Sequence, residues 1–129
     1  MKANELLNDI YVYFNCFDGS KIAVKVTGFK DDIVYGVSEY GTHWCQINKV
    51  EPIPLTLDIL EKNGFEEYDG LYRLDIAEGI FVNADFKSKE PFVSIHNTCY
   101  RATPICKYVD QLQHALRLCG IEKEIILQL

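Results

Sequence analysis

The sequence predicts an α+β protein: a small bent antiparallel sheet or SH3-like barrel, followed by a β-meander packed with a C-terminal amphipathic helix. Three observations carry this. Period-2 alternation, cut by turn signals, runs from Ile10 to about Asn48. The string Glu51-Pro52-Ile53-Pro54-Leu55-Thr56 interrupts it and opens a short helix. A stripe at i, i+3, i+4 spacing then lies between Thr103-Pro104 and Cys119-Gly120. These marks divide the chain into a β-rich part, 1–50, and an α+β part, 51–129, expected as one compact unit with no flexible linker.

In chain order, Ile10, Val12, Phe14 and Cys16 share one face of a first strand, with Tyr11, Tyr13, Asn15 and Phe17 on the other. Asp18-Gly19 turns the chain. Ile22, Val24 and Val26 alternate with Ala23, Lys25 and Thr27. After Lys30-Asp31-Asp32 come a third strand over 33–37, a turn at Tyr40-Gly41 and a fourth strand over 42–48. Residues 51–54 read as a rigid connector, because two prolines remove ladder donors. Thr56 caps a helix over 57–63, Asp58 sits in its positive first turn, and Gly64 closes it, with Phe65 folding back on Leu60.

The meander follows. Strands over 65–68 and 71–76 flank Asp69-Gly70, a two-residue hairpin loop. Tyr72, Leu74 and Ile76 face one way, Arg73 and Asp75 the other. A strand over 80–86 and another over 92–96 come next, and residues 97–103 read as a loop. Thr103 as N-cap and Pro104 at the first helical position start the long helix. Its apolar stripe is Ile105, Tyr108, Val109, Leu112, Ala115, Leu116 and Cys119. Lys107, Asp110, Gln113, His114 and Arg117 fall outside it. Gly120 and Ile121 supply a Schellman closure on Leu116. Residues 124–129 read as a last strand, with Ile126 toward the core.

Composition narrows the function classes. The net charge is -6, and residues 51–103 hold most of it, with ten acids against five bases. No basic stripe exists, which argues against a duplex-nucleic-acid binder. Five cysteines without an apolar leader predict a cytoplasmic chain with reduced thiols. No apolar run approaches the roughly 20 residues of a membrane span. Phosphate-loop patterns are absent, and no cofactor is expected.

Residues 51–56, then Ile59-Leu60-Glu61-Lys62-Asn63-Gly64-Phe65, then residues 107–121 resemble a family of short uncharacterised proteins from gut bacteria and their phages and mobile elements. The likeness covers most of residues 50–121 and is looser in the front half. It carries no catalytic motif and no cofactor. It implies a phage or mobile-element accessory protein, a non-enzymatic binder or sequestering protein in the host cytoplasm, with a counter-defence role.

Candidate chemistry is sparse. His96, Cys99, Cys106, His114 and Cys119 lack a CxxC knuckle, and His114 and Cys119 fall on different faces of the last helix, so no metal is expected. Cys45 and His43 share a strand face but have no third orienting group. Asp31-Asp32 and Glu66-Glu67 read as solvated turns and edges. The aromatics, 12% of the chain, are the better lead. Tyr40, His43 and Trp44 cluster at one turn, and Tyr100-Arg101 precedes the last helix. Tyr, Trp and Arg anchor interfaces and stack on bases, and loops carry binding residues. The expected contact residues are therefore Tyr40, His43, Trp44, Tyr100 and Arg101. The expected partner is a host protein or a small anionic ligand such as a signalling nucleotide, for which Lys25, Arg73 or Arg101 would supply donors. A homo-oligomer would account for the strands that are apolar on both faces. A small nucleotide-acting hydrolase, or a purely structural module, remains open as an alternative.

Overall fold

The computed structural model describes residues 9–86, 91–97, 100–102 and 105–127. The chain divides into two units, one ending at Ile53 and the other starting at Pro54, each described by itself.

The first unit is one antiparallel sheet. Its strands are β1 (Tyr11–Asn15), β2 (Lys21–Lys30), β3 (Ile33–Ser38), β4 (Gly41–Gln46) and β5 (Val50–Pro52), in the order β4-β3-β2-β1-β5. A 3-10 turn, Ile47–Lys49, joins β4 to β5. The two end strands do not pair, so the sheet is open and not a closed barrel. Ile10, Val12, Phe14, Val24, Val26, Val34, Cys45 and Val50 form its core, drawn from the inward positions of the alternation. Two features serve close approach and bending. A bulge interrupts β2 between Val26 and Gly28. At Gly36 a Cβ would sit 3.0 Å from the Lys25 carbonyl oxygen and 3.1 Å from Val24 Cγ2, so only glycine lets β3 come this near to β2.

Two expectations are corrected here. Residues 50–52 are a strand and not wholly a connector. Pro52 is tolerated because β5 lies at the sheet end and pairs only with β1. Cys16 is exposed and does not continue the core face. The strand stops at Asn15, and the Cys16 N–H donates to the Ser20 carbonyl at 2.8 Å to close the next turn. Asp18 holds that turn by accepting from the Ser20 N–H (3.0 Å) and hydroxyl (2.6 Å), bonds that keep its carboxyl below the usual range.

The second unit contains α1 (Leu57–Lys62), β6 (Glu66–Tyr68), β7 (Leu71–Ala77), β8 (Ile80–Asp85), β9 (Phe92–Asn97), β10 (Tyr100–Ala102) and α2 (Val109–Leu118). The five strands form an antiparallel meander in sequence order. Helix α1 follows its local signals. Thr56 Oγ1 accepts from the Ile59 N–H at 3.2 Å, Gly64 takes φ 91°, and the Phe65 N–H donates to the Leu60 carbonyl at 3.0 Å. Asp69 and Gly70, both at positive φ, make the two-residue loop between β6 and β7. Leu74, Val82, Ala84, Val93 and Ile95 on one face of the sheet are buried, as are Leu60 of α1 and Val109, Leu112, Ala115 and Leu116 of α2.

Four further differences have physical causes. Residues 100–102 pair with β9 instead of looping, although Thr98-Cys99 carry none of the usual turn chemistry. Helix α2 starts at Val109, not at Pro104. Ile105 bridges to Phe92, the Cys106 N–H donates to the Pro91 carbonyl (3.0 Å), and the Leu55 N–H donates to the Lys107 carbonyl (2.8 Å). Those long-range bonds hold the chain extended, and the Gln111 side chain caps the helix by accepting from the Lys107 and Tyr108 N–H groups. The expected cap Thr103 and the expected first helical residue Pro104 lie outside the described residues. Ile76 is exposed because the β7–β8 register shifts between Asp75 and Ala77.

The last difference concerns residues 121–127, which join no strand ladder. Ile125 is buried and Ile126 is half exposed, the reverse of the expectation. Two buried amides replace the missing strand partner. The Asn63 side chain accepts from the Ile126 N–H (2.7 Å) and donates to the Ile126 carbonyl (2.8 Å). Gln113 accepts from the Ile125 N–H (2.7 Å) and donates to the Lys123 carbonyl (3.0 Å). Gln113, expected on the polar side of α2, is therefore 3% exposed. The closing turn of α2 is as expected, with Gly120 at φ 73° and the Ile121 N–H donating to the Leu116 carbonyl at 2.9 Å.

Candidate functional site in the first unit

The first unit carries a cleft of about 580 Å³. Phe14, Cys16, Phe17 and Ile22 wall one flank, from the end of β1 and the start of β2. His43, Trp44, Cys45 and Gln46 of β4 wall the other, with Asn15 and Lys49 completing the lining. The Asn15 side chain donates to the Lys49 carbonyl at 3.0 Å, tying β1 to the 3-10 turn. Lys49 is the one Lys or Arg among the lining residues, and no carboxylate is among them.

Large aromatics stand exposed in this unit. Phe17 is fully exposed, Trp44 is 66% exposed and Tyr40 77%. Tyr35 pairs with Trp44 across β3 and β4 and is also exposed. Of the three candidates in the first turn, His43 and Trp44 line the cleft, while Tyr40 projects from the hairpin tip and does not. His43 hydrogen-bonds through Nε2 to Ser38 Oγ at 2.7 Å, and that hydroxyl accepts from the Tyr40 N–H. The imidazole thus locks the hairpin and does not pair with Cys45, whose thiol donates to the Gln46 carbonyl. Burial pushes the Cys45 thiol above its ordinary pKa, the opposite of an activated nucleophile.

Cys16, Phe17, Ile22, Asn15 and Lys49 were not anticipated as site residues. One sequence signal existed: Phe17 is a large apolar residue directly before Asp18-Gly19, where the strand alternation gives it no core position.

Tyr100 and Arg101 belong to the second unit and to strand β10, not to a loop. Their side chains lie outside the described residues. The register sets Arg101 opposite His96, which pairs with Phe81 on β8. On that face the His96 and Phe81 rings stack at 4.3 Å, and the Arg73 guanidinium lies 3.9 Å over the Phe81 ring. Arg73 Nε also donates to Asp75 at 2.9 Å. Of the donors considered for an anion, Arg73 is thus already engaged, and Lys25 sits in the other unit. A shallow depression of about 410 Å³ beside Arg73 is bordered by Asp69 and Asp75 and offers an anion little.

His114 is exposed and Cys106 and Cys119 are buried. No group of three described His, Cys, Asp or Glu side chains converges on a point, and Cys99 lies outside the described residues. No described helix is long and apolar enough to cross a membrane. Comparison with protein-family models, with curated proteins and with solved structures gives no match.

The thiols give a direct check on this geometry. Cys16 is exposed, whereas burial pushes Cys106 up to about 12. Of the described cysteines, iodoacetamide at neutral pH should alkylate Cys16 first and leave Cys106 untouched until the chain unfolds. Peptide mass mapping over a labelling time course reads the order. Early labelling of Cys106 would contradict its placement.

Proposed function

We propose that this chain is a non-catalytic binding protein that grips a partner protein at the cleft of its first unit, with Trp44 and Phe17 as anchors. The observation that carries this is the pairing of a largely apolar cleft with protruding aromatics on its rim. Exposed Trp and Phe cost hydrophobic free energy in the free chain, which a partner recovers by covering them. They stand out as convex knobs, and knobs fit pockets on another protein. A small-molecule site would enclose its ligand instead. The resemblance to short proteins of gut bacteria and their phages makes a host protein the partner we favour, with inhibition or sequestration as the outcome.

A second reading has one observation behind it. The cleft volume falls in the small-molecule range, and Lys49 and His43 could meet an anionic ligand there. Catalysis gains no such support, since His43 is committed to the hairpin and Cys45 is buried.

The test starts from a partner purified with the chain from host cells, followed by titration calorimetry. Trp44→Ala should weaken that binding by about 1–3 kcal/mol, the range for an interface anchor. Tyr68→Ala, an exposed aromatic of the second unit, should leave it unchanged. Full affinity in both Trp44→Ala and Phe17→Ala would remove the cleft from consideration. A nucleotide retained in native mass spectrometry, and lost on Lys49→Ala, would favour the second reading.

A further inference from the structure

Strand β4 is an end strand of its sheet, and no described strand pairs with its far edge. Exposed edges invite pairing with other chains, and proteins usually blunt them with charge, proline or bulges. The opposite end strand is blunted: β5 ends in Pro52, and its Glu51 is ion-paired with Lys21 at 2.7 Å. Strand β4, Gly-Thr-His-Trp-Cys-Gln, has no Lys, Arg, Asp, Glu or Pro. Its six pairs with β3 run without a register shift. Ser38 and Gly41 close a two-residue loop, so the bonds to β3 fall on Gly41, His43 and Cys45. The N–H groups of Thr42, Trp44 and Gln46 then face the open side.

That open edge coincides with the cleft, since four of the six β4 residues line it. We infer that the partner docks as an extended segment that adds a strand to β4, placing an apolar side chain in the cleft and a carboxylate near Lys49. This rests on the reading of the cleft as a protein-binding site. Alternate side chains of an added strand point to one face, so main-chain bonds supply affinity while the cleft selects the residue. Charge complementarity sets the acidic requirement, because Lys49 has no carboxylate beside it in the lining. A second copy of β4 fits less well, as it brings no carboxylate to Lys49.

The experiment selects binders for the whole chain from a displayed library of random dodecapeptides. The strongest are then followed by amide hydrogen exchange. Selected peptides should carry alternating apolar residues with an acid. At a peptide concentration about ten times Kd, the Thr42, Trp44 and Gln46 amides should exchange about tenfold slower. Two variants block the edge: Thr42→Pro, checked by its melting curve, and a semisynthetic chain N-methylated at Trp44, which keeps every side chain. Both should lose at least about tenfold in peptide affinity, as expected for lost main-chain bonds. Failure to select any peptide overturns the inference, as does slowed β4 exchange caused by self-association alone. Peptides that lose binding on Trp44→Ala but keep it on N-methylation would leave the cleft as the site and overturn strand addition.

Discussion

Leu112→Ala should lower the unfolding free energy by about 2–5 kcal/mol, and His114→Ala by less than about 0.5 kcal/mol. The two residues are neighbours on α2 and differ in which side of the helix they occupy. Leu112 has no exposed surface and lies on the stripe with Val109, Ala115 and Leu116. Truncation removes the transfer free energy of the lost methyl groups and leaves a void where the buried side chain stood. His114 is exposed, so its loss perturbs little beyond helix propensity. Denaturant melts of both variants check the ranking. A larger loss for His114→Ala would mean that the helix is rotated from the orientation described.

Gln113→Leu should be the second large effect, about 1–3 kcal/mol of destabilisation despite the gain in hydrophobicity. The amide is 3% exposed and satisfies two backbone groups of the C-terminal segment. Leucine has similar bulk but no donor or acceptor. The Ile125 N–H then stays buried without a partner, at the full cost of its desolvation. The Lys123 carbonyl, in a half-buried residue, regains part of its bond from water. Native-state hydrogen exchange gives a reading independent of the melt, since the Ile125 amide should lose protection while the α2 amides near Leu112 keep theirs. A variant as stable as the wild type, with Ile125 still protected, would show that the amide does not hold the tail.

Particular residues show what was legible. Helix α1 could be read in full because its determinants are local: the Thr56 cap, the Asp58 charge and the Gly64 stop all lie within ten residues. The start of α2 could not. Thr103-Pro104 are a strong start signal, but the bridge from Ile105 to Phe92 and the bond from Leu55 to Lys107 compete for that segment, and both partners are distant in sequence. In the candidate site, residue type alone pointed to His43 and Trp44. Phe17 and Lys49 reach the same cleft only because the fold brings the segment after β1 and the 3-10 turn beside β4.

Alternation, caps and turn residues by themselves determined strands β1 to β4 of the first sheet, helix α1, the Asp69-Gly70 hairpin and the apolar stripe of α2. Each depends on a backbone preference or a periodicity that a few neighbouring side chains set. Tertiary structure alone decided that the first sheet stays open, that residues 100–102 become a strand, and that Asn63 and Gln113 turn inward to hold residues 123–126. Those outcomes follow from the demand that buried backbone groups find partners. The partner that meets the demand can be 63 positions away, as Ile126 is from Asn63, and no local pattern records it.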